Sequence, residues 1–168
     1  AAFLFVAVFV GYAVGSAPIV SFHYGARNRA EVHNLYQKSL RLIAVVSVTM
    51  TAASMVIIPH VARIFVGYDA QLLALTSRAF RLYALCFLIK GFNIYASSFF
   101  TALGDGVTSA LISFLRTFLF QMAALLLLPA LWGIDGVWLA VTAAELATLA
   151  VTVYMFVTKD QKFHYRHV

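Results

Sequence analysis

With 168 residues, 63% of them hydrophobic and only 11% charged, the chain is far more apolar than a soluble domain, which averages ~45–50% apolar and ~25% charged residues. Disorder and collagen-like repetition are excluded, and a lone cysteine, Cys86, excludes a disulfide-stapled fold. A net charge of +6 would suggest nucleic acid in a soluble protein; in an integral membrane protein it reads as basic residues holding loops in the cytoplasm, so no nucleic-acid partner is expected.

A helix needs about 20 mostly apolar residues to cross roughly 30 Å of hydrocarbon. Five segments qualify, so the expected fold is all-α and integral to the lipid bilayer, with transmembrane helices over about 1–22, 39–60, 79–102, 108–128 and 136–158. These make one membrane segment, 1–158, followed by a basic cytoplasmic tail, 159–168. The first span carries no charge, and His23 to Gln37 after it fits either an amphipathic stretch with Leu35 and Tyr36 against the membrane or a solvated linker. Pro59 is expected to end or kink the second span near the outer face. Cys86, inside an apolar run, reads as a small core residue. Asp105 and Asp135 each sit beside glycines just before a new apolar run, where a carboxylate can cap free helix N–H groups; the third and fourth spans, and the fourth and fifth, should be antiparallel neighbours. Trp132 and Trp138 flank the last turn as interfacial anchors.

Basic residues set the orientation. The segment between the first two spans (Arg27, Arg29, Lys38, Arg41) and the tail (Lys159, Lys162, Arg166) carry seven, against three (Arg63, Arg78, Arg81) on the opposite side. The first set is expected to be cytoplasmic, with the first helix starting outside and the C-terminus inside. Because the chain opens at Ala1 directly in hydrophobic sequence, without a basic leader, it is expected to be the C-terminal part of a longer polytopic protein.

Ionisable groups inside a bilayer are costly, and three stand at similar depth. At a rise of ~1.5 Å per residue, Lys90, Arg116 and Glu145 lie roughly 16, 18 and 14 Å below the outer face. An Arg116–Glu145 salt bridge joining the last two spans fits as well as a cavity; it would leave Lys90 without an anionic partner in the chain. Asn93 and Gln121 add neutral hydrogen-bonding groups, each able to serve as interhelical glue. Lys90, Asn93, Arg116, Gln121 and Glu145 are therefore the candidate pathway residues, with Glu145 to bind a cationic substrate or proton and the basic pair to tune it. Catalytic signatures are missing: there is no HExxH, no clustered Asp motif and no zinc spacing among His23, His33, His60, His164 and His167, so neither enzymatic activity nor a cofactor or metal is expected.

Gly15-Ser16-Ala17-Pro18, Ser21 and Tyr24-Gly25-Ala26-Arg27-Asn28, then Ala102-Leu103-Gly104-Asp105, Ser109 and Arg116, then Pro129, Gly133 and Gly136-Val137-Trp138 resemble the C-terminal lobe of the MATE (multidrug and toxic compound extrusion) transporters. The resemblance implies that the five spans are family helices eight to twelve of a twelve-helix, two-lobed transporter, a placement that agrees with the orientation above. It further implies a cation-coupled (proton or sodium) secondary antiporter of a bacterial cytoplasmic membrane, exporting small amphipathic compounds by alternating access, with a missing N-terminal lobe as its partner. The sodium-coupled branch has a carboxylate in its tenth helix; the matching span here has none and offers Lys90, which argues against sodium coupling of that type. His23 stands where the family commonly has Asn. Rival readings are a lipid-linked oligosaccharide flippase of the related superfamily, in which two buried cations would face a pyrophosphate, and a non-transporting membrane remnant or subunit.

Overall fold

The computed structural model describes residues 2–165. Six α-helices follow in order: α1 (Ala2–Gly25), α2 (Arg29–Val66), α3 (Ala70–Ala84), α4 (Phe87–Ala102), α5 (Gly106–Phe114) and α6 (Gln121–Phe163), with a π-helical turn (Leu115–Phe120) joining the last two. There is no strand among the described residues.

The helices join into four runs long and apolar enough to cross a membrane, Phe3–Gly25, Arg29–Val66, Ala70–Ala102 and Gly106–Phe163, where five separate ones were expected. The last run holds both of the final two spans. At 43 residues α6 alone would measure ~65 Å if straight, but Gly133 breaks it with φ 59° and ψ −136°. A Cβ on Gly136 would lie 2.2 Å from the carbonyl oxygen of Leu128, two residues that a straight helix would separate by ~12 Å. Ala124 likewise packs with Ala140 and Ala144. The run therefore doubles back at Gly133, and small residues let its limbs approach closely.

Other boundaries outrun the apolar segments because polar caps and tertiary packing, not hydropathy, decide them. α1 continues to Gly25, Arg27 turns the chain at φ 56°, and Asn28 caps α2 by accepting from the Glu31 amide at 3.2 Å. His23 to Gln37 is thus neither a surface-lying amphipathic stretch nor a linker: it divides between two helix ends, and Leu35 and Tyr36 pack against the main core. Pro59 does not end α2, which runs on to Val66. The third span starts at Ala70, capped by Asp69 through the Gln71 and Leu72 amides at 2.8 and 3.1 Å, and its α-helix is interrupted at Leu85-Cys86. Cys86 is fully buried there, as expected of a core residue.

α4 is the hub, touching α1, α2, α5 and α6. Gly91 permits a close approach of α1, since a Cβ there would meet the Phe9 ring at 2.5 Å. Below it Tyr95, Phe99 and Phe100 join Tyr36, Phe156 and Tyr165 in an aromatic core. The expected tail contributes to this core. After the left-handed His164, Tyr165 turns under the bundle, donates its hydroxyl to the Phe156 carbonyl at 2.7 Å, and its own carbonyl accepts from His33 at 2.8 Å. Arg166 lies outside the described residues.

The two turn aspartates part ways. Asp105 caps α5 through the Thr108 amide at 3.2 Å and also meets Lys159 at 3.2 Å, tying the α4–α5 turn to the end of α6. Asp135 instead pairs with Arg78 of α3.

Candidate functional site

Glu145, Thr148 and Thr152 repeat at helical spacing on the second limb of α6, and Lys90 and Asn93 fall one turn apart on α4. Packing of those two helices brings the stripes together. Asn93 donates to Glu145 Oε2 at 2.8 Å and to the Glu145 carbonyl at 2.9 Å, while the Thr152 hydroxyl donates to Asn93 Oδ1 at 3.0 Å. The Lys90 ammonium stands 3.7 Å from Glu145 Oε1. Asn93 is fully buried and Glu145 nearly so.

This pairing corrects one expectation. Glu145 meets Lys90, not Arg116, so Lys90 does have an anionic partner within the chain and the two share one level across the α4–α6 interface. Arg116 sits on the π turn, where its Nη1 is buried without a hydrogen-bond partner among the described residues. Gln121, half-buried at the start of α6, takes no part in the network. The structure thus gathers Lys90, Asn93 and Glu145 and leaves Arg116 and Gln121 apart.

Lys90 connects the polar centre to an apolar space. Its ammonium lies 5.9 Å from the centre of the Tyr83 ring, within range of a cation–π attraction. Tyr83 also lines a cavity of about 230 Å³ together with Phe5, Ile57, Phe80 and Phe87. A buried carboxylate, its ammonium partner and an aromatic-walled cavity are therefore contiguous.

Sequence reasoning missed Thr152 and a hydroxyl cluster between α4 and α5. Ser97 Oγ lies 2.9 Å from Ser109 Oγ and 2.7 Å from Ser113 Oγ, and Thr101 reaches Ser109 at 2.7 Å. The spacing of Ser97 with Thr101, and of Ser109 with Ser113, both four residues, was the available signal. Arg116 continues the Ser109–Ser113 stripe by a further turn, and π turns recur at functional positions.

Residues 1–126 match the MatE family. The chain belongs to the MatE family. Among solved structures, an outward-facing multidrug resistance MATE transporter of the MOP superfamily shares the fold at TM-score 0.86 and 18% identity, covering 96% of this chain and 37% of that one. An inward-facing structure gives TM-score 0.86 over 96% and 38%. The bent form of the Vibrio cholerae MATE transporter VcmN gives 0.86 at 14% identity, over 99% and 38%. No curated protein matches the sequence. The chain spans less than two fifths of the solved transporters' length. MatE membership, with the long apolar helices, makes it part of a multi-pass membrane protein, and the resemblance read from the scattered motifs is shown.

Proposed function

We propose that this chain is the C-terminal lobe segment of a proton-coupled efflux transporter that exports amphipathic organic cations by alternating access, with its C-terminus on the cytoplasmic side of a bacterial inner membrane. The observation that carries this reading is the buried Glu145 carboxylate, held by Asn93 and neutralised by Lys90 beside an aromatic-walled cavity. An unpaired carboxylate at that depth would be costly, so Lys90 is its resting counter-ion. At 3.7 Å the ammonium is beyond the ~2.7–3.2 Å range of a tight hydrogen bond. A proton on Glu145, or a cation arriving through the cavity, can therefore displace Lys90 without disturbing the shorter Asn93 bond. Protonated, Glu145 no longer attracts a cationic substrate; ionised, it does. That exclusivity is what exchange of a proton for a cation requires.

Sodium coupling at this centre is not favoured. A hard cation prefers several oxygen ligands, whereas Asn93 Oδ1 is already engaged by Thr152 and α4 supplies an ammonium instead. The flippase alternative calls for two free buried cations; Lys90 is paired, leaving Arg116 Nη1 as the group that favours it.

The test uses the full-length protein in proteoliposomes with an imposed pH gradient and a fluorescent lipophilic cation. Glu145→Gln should insert normally, lose pH-driven export by at least about tenfold and lose the pH dependence of cation binding. Unchanged export with an unchanged pH profile would remove Glu145 from the mechanism. Loss of lipid-linked oligosaccharide movement in Arg116→Gln, with cation export intact, would establish the flippase reading instead.

A further inference from the structure

At the end of the bundle opposite Asp69 and Arg78, a cavity of about 390 Å³ is lined by Tyr24, Arg27, Arg29, Val32, Lys162 and Phe163, with Gly25 completing it. We propose that it is a binding site for the phosphate headgroup of an anionic phospholipid. Three elements build it: the last turn of α1, the first turn of α2 and the last turn of α6. Each brings a basic side chain or the turn that positions one, and no acidic residue lines the cavity.

The charges are available. None of Arg27, Arg29 and Lys162 forms an ion pair with the described residues; Lys162 lies 4.9 Å from the Phe163 ring, which steadies the ammonium without neutralising it. Of the nearest acidic groups in sequence, the Glu31 carboxylate accepts from the Asn34 side-chain amide at 3.5 Å, and Asp160 has a partner of its own. The turn's own amides are satisfied, Arg27 by Tyr24 and Asn28 by His23, so the attraction comes from side chains. Arg27 takes the left-handed backbone that an ordinary residue adopts only at a cost. Glycine or asparagine would hold that turn more easily, but neither would supply the charge.

A lipid, not a free phosphate, is the occupant because of what adjoins the cavity. α1 presents Ile19 and Phe22, both exposed, in the two turns before it reaches Tyr24 and Gly25. Acyl chains can lie along that stripe while the headgroup sits among the guanidinium groups, the arrangement expected of basic pockets between helix ends at a membrane surface. Tyr24, with an apolar ring and polar tip, stands at the boundary.

The experiment follows lipid retention by the full-length protein, a readout separate from export. Purified protein is exchanged into mixed phosphatidylglycerol and phosphatidylcholine, and bound lipid is identified by native mass spectrometry, with and without excess inorganic phosphate. The wild type should retain phosphatidylglycerol selectively in the presence of phosphate. Arg29→Gln should weaken retention about fivefold, and Arg27→Gln/Arg29→Gln/Lys162→Gln on the order of a hundredfold, from the attraction expected per basic residue at a membrane surface. Arg63→Gln, at the opposite end, should change nothing. Equal retention by wild type and the Arg29→Gln variant overturns the proposal, as does release of the lipid by inorganic phosphate, which would make this a soluble-anion site.

Discussion

Asn93 directs both N–H groups of its amide to Glu145, one to the carboxylate at 2.8 Å and one to the backbone carbonyl at 2.9 Å. Lys90 stays 3.7 Å from the other carboxylate oxygen. The position of the carboxylate is therefore set by a neutral amide and its charge balanced by a looser cation. Asn93→Leu should leave Glu145 and the Thr152 hydroxyl without their partners at once. A loss of about 1–3 kcal/mol per group left unsatisfied is expected, read as a lowered thermal midpoint of the full-length protein in detergent. A midpoint unchanged from wild type would show that the network contributes nothing to stability.

The ion pair makes a separate prediction. Removing one partner of a buried pair strands the other, at about 3–5 kcal/mol, whereas replacing both with apolar groups is often nearly neutral. Lys90→Met should therefore destabilise more than Lys90→Met/Glu145→Leu, although the double variant carries more substitutions. Both midpoints, compared at neutral pH, test this. Additive losses would mean that the two side chains are independently placed.

The reversal in α6 brings its two limbs into backbone contact at Gly136, alongside the packed alanines. Gly136→Ala would force a methyl to 2.2 Å from the Leu128 carbonyl oxygen, so the limbs must separate. Overpacking of that kind costs about 1–3 kcal/mol. Gly106→Ala has open space and no positive φ, and should be close to neutral. Thermal stability of the two variants side by side checks the hairpin; equal midpoints would place the reversal elsewhere.

Much of this was legible in the sequence for one physical reason: lipid demands uninterrupted apolar runs, so spans announce themselves. Their ends are harder to read: the glycines around Asp105 mark its cap, but Asn28 and Asp69 cap helices in polar sequence that hydropathy treats as loop. Depth arithmetic brought Lys90 and Glu145 to one level, yet rise along an axis carries no information about rotation around it. Whether Glu145 would face Lys90 or Arg116 depends on how α4, α5 and α6 turn toward each other. The burial of Tyr165 was equally hidden, since a basic, aromatic C-terminal stretch reads as a solvated tail until the core it completes is known.

That aromatic end should be felt in stability. Tyr165→Phe keeps the ring contacts with Tyr36, Phe99 and Phe156 and loses the hydroxyl's bond to the Phe156 carbonyl, costing about 1 kcal/mol. Tyr165→Ala empties the space as well and should cost about 3–5 kcal/mol. Limited proteolysis at the C-terminus, together with thermal midpoints, distinguishes them. Equal, negligible effects would mean that the stretch is a tail after all.

The Asp105–Lys159 contact carries a pH dependence whose sign follows from its surroundings. Burial raises the Asp105 carboxyl, but the Thr108 hydroxyl and amide and the Lys159 ammonium outweigh it and hold the group below the ordinary carboxylate range. A carboxyl lowered in the folded state contributes stability that is fully present above its unfolded value of about 3.9 and is lost as pH falls through the lower folded value. Between neutral pH and about 5 the contact should therefore be insensitive to pH. Removing the lowering groups shifts that window upward. In Thr108→Val, whose hydroxyl is the largest single lowering influence, the α4–α5 turn should begin to loosen at a higher pH than in wild type, and Lys159→Met, which removes both a hydrogen bond and a positive charge, should shift it in the same direction. Hydrogen exchange at the Thr108 and Ser109 amides of the full-length protein, followed down a pH series and corrected for intrinsic rates, reads the cap directly. Protection lost at the same pH in all three proteins would show that neither partner holds the Asp105 proton off.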